Sequence, residues 1–201
     1  MYLEIYSELP QQLLTMAETP AMQRLKHVGM HCPKEKLKHI FDDLFIGKNE
    51  DGEDELCFAH AAQADAFTRL ALRQSEWFVS DDDRFSMQAL ADILRKAQQR
   101  GVLTVDDLYL DESHVISLLL SDPVIAAHWQ EYRCIVGTQS GPNPPENVYA
   151  VRIAAKKRSI DPLVQAENGL RRFTAISTDY AARLRTFRAD DFDRWVWARF
   201  E

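Results

Sequence analysis

Residues 59–101 constrain the fold more than any other stretch. From Ala59 to Val79, Ala62, Ala66, Phe67, Leu70, Ala71, Trp77 and Phe78 recur at intervals that mark one helical face. Ser80-Asp81-Asp82-Asp83 follows. A serine there accepts from first-turn amides, and aspartates put negative charge on the positive end of the helix dipole. Phe85, Met87, Leu90, Ala91, Ile93, Leu94 and Ala97 carry the apolar pattern from Arg84 to Arg100, and Gly101 stands where a left-handed residue closes a helix. Two long amphipathic helices in tandem must bury their stripes against other elements. Only seven of 201 residues are glycine, which agrees with a helical chain.

The flanking segments fill in the plan. Residues 1–18 read as partly helical, with a break at Pro10, and Thr19 to about Met30 opens with a threonine cap and a first-turn proline. Pro33–Leu44 predicts a helix with Leu37, Ile40, Phe41 and Leu44 on one face. Phe45 to Phe58 holds two short apolar pieces around Asp51-Gly52, the pattern of a hairpin. Asp51, Glu53, Asp54 and Glu55 also offer hard oxygens for calcium, but the alternating spacing and terminal glutamate of a calcium loop are missing. Thr104–Tyr109, Asp111–Leu120 and Ser121 to about Tyr132 predict three shorter helices, the last opened by Asp122-Pro123. Arg133–Thr138 and Arg171–Ile176 read as strands, and Val148–Ala154 as the strongest strand of the chain. Ser177–Phe187 and Ala189–Phe200 predict final helices, the last carrying Phe192, Trp195, Trp197 and Phe200. The expected fold class is mainly α: a helical domain with a small β-hairpin and a short antiparallel sheet in the C-terminal third. Residues 1–201 read as one domain, with an N-terminal arm over 1–32 and a basic sub-region over 148–201.

Composition narrows the partners. The net charge of −7 argues against wholesale nucleic-acid binding. Residues 148–201 nevertheless carry eleven basic against seven acidic side chains, a net of +4 that leaves −11 for the remainder. Such a basic third would dock on acidic surface, on a second subunit or on a phosphate. No apolar run approaches the roughly 20 residues of a membrane span. Met1-Tyr2-Leu3-Glu4-Ile5 lacks the basic start of a signal peptide. Three scattered cysteines, Cys32, Cys57 and Cys134, argue for reduced thiols and a cytoplasmic setting.

Chemical motifs are sparse. Phosphate-binding glycine loops and the nucleophile elbow are missing from the sequence. Cys32 beside His31 has the setting of either an activated or a buried inert thiol. His27 and His31 are four apart on one predicted helix, a spacing that lets two imidazoles meet one metal. His39 and Asp42 on the next helix complete the candidate metal set. Arg152, Lys156, Lys157 and Arg158 form the candidate phosphate-binding set.

Several segments carry a family resemblance. Thr19-Pro20-Ala21-Met22-Gln23-Arg24-Leu25-Lys26 resembles the lead-in to the catalytic core of HD-domain phosphohydrolases, the metal-dependent helical family that includes deoxynucleoside triphosphate triphosphohydrolases. Asp42–Leu44 through Glu55–Phe58 is similar to the region after that core, Gly101–Tyr109 to a later helical part, and Lys156-Lys157-Arg158-Ser159-Ile160-Asp161-Pro162 to a C-terminal basic strand. The resemblance implies metal held by a histidine, a His-Asp pair and a distant aspartate. No His-Asp dipeptide occurs in the chain, and the core would fall at the join of Cys32 and Pro33.

Three functions follow. The favoured one is a degenerate, non-catalytic relative of these phosphohydrolases acting in interaction or assembly, as a homo-oligomer and without a cofactor. The second is a metal-dependent nucleotide phosphohydrolase with a divalent ion near His27, His31, His39 and Asp42. The third is a regulatory binder of a nucleotide or phosphate through Arg152, Lys156, Lys157 and Arg158.

Overall fold

The computed structural model describes residues 32–200. The expected helices before Cys32 lie outside the described residues, as do His27 and His31. In chain order the elements are α1 (Lys34–Asp42), β1 (Leu44–Lys48), β2 (Asp54–Phe58), α2 (Ala61–Phe78), α3 (Asp81–Gln99), a 3-10 turn (Asp106–Tyr109), α4 (Glu112–Ser121), α5 (Pro123–Arg133), β3 (Gly137–Gly141), β4 (Ala150–Val151), β5 (Leu163–Ala166), β6 (Gly169–Arg172), α6 (Phe173–Ile176), α7 (Thr178–Ala189) and β7 (Trp195–Arg199). The fold is mainly helical with minor β structure. No described helix is long and apolar enough to cross a membrane.

The described chain divides into two compact units. A hairpin unit takes residues 32–79 and Ala154–Phe192, and a helical unit takes Ser80–Ile153 and 193–200. The helical unit is thus inserted into the hairpin unit's sequence, and the chain returns to it for one last strand.

In the hairpin unit the expected hairpin forms, with Leu44 opposite Phe58 and Lys48 opposite Asp54. Asn49 shapes its turn: the side-chain carbonyl accepts from the Asp51 and Glu53 amides at 3.0 and 2.9 Å, and Gly52 takes φ +79°. The hairpin joins a four-stranded sheet of order β1-β2-β5-β6, with β2 and β5 parallel. Phe58 and Val164 on the sheet pack with Ala64 and Leu72 of α2 and with Phe173, Tyr180, Leu184 and Phe187 from α6 and α7. At Gly47 a side chain would meet Leu170 Cδ1 at 2.6 Å and Cys57 Sγ at 2.8 Å, so only glycine lets Leu170 lean across the hairpin.

In the helical unit α3 is the spine. Phe85, Ala89, Ile93 and Ala97 meet Ile116 and Leu119 of α4, Ile125, Trp129 and Tyr132 of α5, and Val151 and Val196 of the sheet. The expected caps form: Ser80 accepts from the Asp83 amide, Asp111 from His114, and Asp122 from Val124 and Ile125. Gly101 adopts φ +71° as a helix terminator.

Four expectations fail, all where β structure is involved. The helix expected over Ala189–Phe200 is instead β7, the central strand of a sheet of order β3-β7-β4. Trp195, Val196 and Trp197 alternate: Val196 is fully buried, while both tryptophans lie half-buried. The Trp197 ring covers Gly141, and its indole N–H donates to Gln139 at 3.1 Å. Val148–Ala154 supplies only Ala150 and Val151 to a ladder, opposite Trp197 and Val196 of β7. The strand expected over Arg171–Ile176 ends at Arg172, where Phe173 turns into a short helix. The strand expected over Arg133–Thr138 starts later, at Gly137, because α5 runs on to Arg133.

Candidate functional site

Of the metal candidates, His39 and Asp42 lie within the described residues, three apart and exposed on the last turn of α1. The Asp42 carboxylate accepts from Lys38 one turn earlier. Among the described residues no three His, Cys, Asp or Glu side chains converge as a metal-binding group. Two other imidazoles, His60 and His114, have carboxylate partners. His60 Nδ1 lies 2.5 Å from Asp43, whose second oxygen accepts the His60 backbone N–H at 3.0 Å, and His114 Nε2 lies 3.2 Å from Asp107. The Asp43 contact anchors His60, the residue that precedes α2.

The basic candidates divide between the units. Arg152, in the helical unit, makes a two-pronged ion pair with Asp193, both contacts at 2.7 Å. Lys156, Lys157 and Arg158 lie on an extended segment of the hairpin unit, where burial alternates and Lys156 and Arg158 face solvent. Lys157 turns inward and donates to the carbonyls of Arg188 and Asp190 at the C-terminal end of α7, where the helix dipole favours a cation. The next residues strap the same segment down. Ser159 accepts from the Arg188 guanidinium, Tyr180 donates to the Ile160 carbonyl, and Asp161 accepts from the Thr174 amide and hydroxyl at 2.9 and 2.6 Å. Lys157-Arg158-Ser159-Ile160-Asp161 therefore acts as a clamp on α6 and α7.

Arginine networks organise the acidic side chains. Arg172 on β6 pairs with Glu50 at 2.5–2.8 Å and with Glu55 at 2.6–3.1 Å, and also donates to the Asp161 carbonyl. The guanidinium holds both glutamates below the usual carboxylate range. Glu55, one of the acids that invited a calcium reading of this hairpin region, thus serves an arginine. At the start of α3, Asp81 accepts from the buried Arg84 at 2.6 Å and from Arg194 at 3.0–3.1 Å. Burial would raise its carboxyl, but donors from Arg194, Ser140 and Arg84 outweigh it and keep the group low. Asp83, in the same acidic run, lacks such donors in its titration, and burial pushes it up to about 6. Sequence reading saw Asp81–Asp83 only as helix-dipole charge. Their fates differ because Arg194 arrives from a segment far along the chain.

The described surface offers shallow grooves. One of about 270 Å³ is lined by Cys32, Lys36, Asp65, Arg69 and Arg73, and Arg69 there is engaged with Asp65 and Asp179. Cys57 is fully buried, which pushes its thiol up, and Cys134 is exposed.

A different feature stands out in the helical unit. Within six residues, Val105, Leu108, Tyr109 and Leu110 are each at least 45% exposed, Tyr109 reaching 85%. The knuckle that carries them is stiff. Asp107 accepts from both the amide and the hydroxyl of Thr104 at 2.7 Å and faces His114 at 3.2 Å; the Leu108 and Leu110 amides donate to Val105 and Asp107. The Thr104 donors, with His114, hold Asp107 below the usual carboxylate range. Asp106, Asp111 and Glu112 flank the apolar group. No apolar residue of this knuckle was named as a site from sequence; the signal was Val105-Asp106-Asp107-Leu108-Tyr109-Leu110, too polar for a buried helix and too apolar for a solvated loop. No protein family, curated protein or solved structure matches this chain.

Proposed function

We propose that this protein is an interaction module, and that the Val105–Leu110 knuckle docks into an apolar pocket rimmed by basic side chains on a partner protein. The observation that carries the reading is the display of four large apolar side chains, led by Tyr109, on a turn already fixed by hydrogen bonds. A backbone fixed before binding loses little freedom on docking, and tyrosine is a frequent anchor of interfaces. The flanking carboxylates complement a basic rim. The resemblance to HD-domain phosphohydrolases supports a degenerate relative of that family, working in assembly.

Tyr109→Ala tests this. Chemical cross-linking in cells followed by mass spectrometry identifies the partner, and purified components give the affinity. The expected result is a loss of about 2 kcal/mol, roughly a thirtyfold weaker Kd, with binding that also weakens as salt rises. A partner that binds Tyr109→Ala as tightly as the parent protein overturns the reading. The hydrolase reading has its own measurement. Stoichiometric divalent metal in protein purified without chelator, with nucleotide hydrolysis lost in His39→Ala, replaces the interaction module by an enzyme.

A further inference from the structure

The outer face of the β3-β7-β4 sheet carries side chains that core packing does not explain. It lies in the helical unit and shares no residue with the knuckle, so it goes beyond the interaction reading. β7 is the central strand, with Gln139 opposite Trp197 and Gly141 opposite Trp195. Val196, between the tryptophans, belongs to the core. Alternation therefore puts Trp195, Trp197 and Arg199 on the other face, together with Gly137, Gln139 and Gly141. Gln139 and Arg199 are exposed and both tryptophans keep part of their surface in solvent, where a sheet packed on one side ordinarily carries polar residues. The two glycines make room on this face. The Arg199 guanidinium lies over Gly137, where a side-chain carbon would meet Nη2 at 3.1 Å, and the far end of the Trp197 ring lies over Gly141, where one would meet it at 3.2 Å. At its other end the same indole donates its N–H to Gln139 Oε1 at 3.1 Å. An indole fixed at both ends thus neighbours a guanidinium, and residues two apart on a strand are spaced by about 6.6 Å, a span that a nucleotide covers from base to phosphate.

We infer that this face binds a nucleotide unit, with its base stacked on the Trp197 indole and its phosphate on Arg199. The donors and acceptors of the face select that class. An indole N–H only donates, so the Gln139 oxygen is occupied and its NH2 group is left to donate. Arg199 offers further N–H donors, and among the described residues it has no carboxylate partner. β3, β4 and β7 contain no acidic residue, and Asp193, just before β7, is engaged by Arg152. Donors without acceptors suit the oxygens of a phosphate and the acceptor edge of a base. A sugar, whose hydroxyls must also donate, would be left short of acceptors. Stacking on an aromatic ring tolerates any base. The net charge of −7 opposes a long strand, so the unit is a free nucleotide or one nucleotide of a short single strand.

Titration calorimetry of the full chain tests the face, with adenosine 5′-monophosphate, adenosine, ribose 5-phosphate, a short single strand of oligoadenylate and maltose as probes. Adenosine 5′-monophosphate is expected to bind more tightly than adenosine or ribose 5-phosphate, each of which lacks one of the two contacts. Trp197→Leu is expected to keep its circular dichroism and to weaken the nucleotide about tenfold, in line with the loss of one base stack. Arg199→Gln, at an exposed position, is expected to bring the nucleotide down to the affinity of adenosine and to leave adenosine itself unchanged. An oligoadenylate no tighter than the mononucleotide, counted per nucleotide, identifies a free nucleotide as the ligand. One that is tighter and loses affinity as salt rises identifies a single strand. Either result carries the inference. It is overturned if neither the mononucleotide nor the strand binds, or if maltose binds in their place. Arg199→Gln that holds the nucleotide as tightly as the parent protein also overturns it, and this arm decides even where Trp197→Leu does not fold. The Tyr109 knuckle uses other residues, so its partner binding stands or falls by its own measurement.

Discussion

Single side chains in this molecule act mainly by joining distant parts of the chain. Arg172 ties β6 to the first hairpin, and its two glutamates titrate low because of it. A carboxylate with a lowered folded-state pKa adds stability above its unfolded value and loses it as pH falls through the folded one. Thermal unfolding of the parent protein should therefore steepen its decline as pH falls below the ordinary glutamate value of about 4.5, and Arg172→Met should flatten that decline. At neutral pH the same substitution should lower stability only modestly, because these groups are part-exposed and screened by solvent. Asp83 works in the opposite sense. Its folded value, near 6, lies above the ordinary 3.8, so the folded state holds its proton longer than the unfolded chain does. Stability from this group is complete below the unfolded value and falls as pH rises toward 6. Asp83→Asn should raise the melting temperature at pH 7.5 and leave it unchanged at pH 3.5, a comparison that differential scanning calorimetry makes directly.

At the scale of elements, most helices and the first hairpin were legible, and the other strands were not. α2, α3, α4, α5 and α7 follow the spacing of apolar residues and the caps Ser80, Asp111, Asp122 and Ser177. These signals are local, since a helix bonds within itself. β7 shows the contrast. Its aromatic residues fit a helix spacing as easily as a strand, and what decides the matter is the pair of neighbours, β3 and β4, that its backbone bonds. Because β3 and β4 meet only through β7, removing residues 195–201 should abolish both ladders. Hydrogen exchange is expected to accelerate across Gly137–Gly141 and Ala150–Val151, with α2 and the first hairpin still protected. Retained protection in β3 would contradict the central placement of β7.

The molecule as a whole is two compact units, and the described chain crosses between them three times. No shift in composition marks Val79, Ile153 or Phe192 as crossing points, since the boundaries fall between elements that are locally ordinary. The candidate sites show the same division. Of the residues singled out from sequence, Lys157 serves as a clamp and Arg152 as an ion-pair partner, while Lys156, Arg158 and His39 remain on the surface. The proposed docking feature, the Tyr109 knuckle, was visible in sequence only as a short helix.

The sequence by itself determined most of the helices, their caps, and the first hairpin with its turn at Asp51-Gly52, because each depends on residues a few places apart. Tertiary structure decided which strands exist, where the acidic run at Asp81–Asp83 finds its cations, and which apolar side chains stay outside. Those outcomes depend on partners far away in the chain, and a polar or apolar residue carries no mark of whether its partner will arrive.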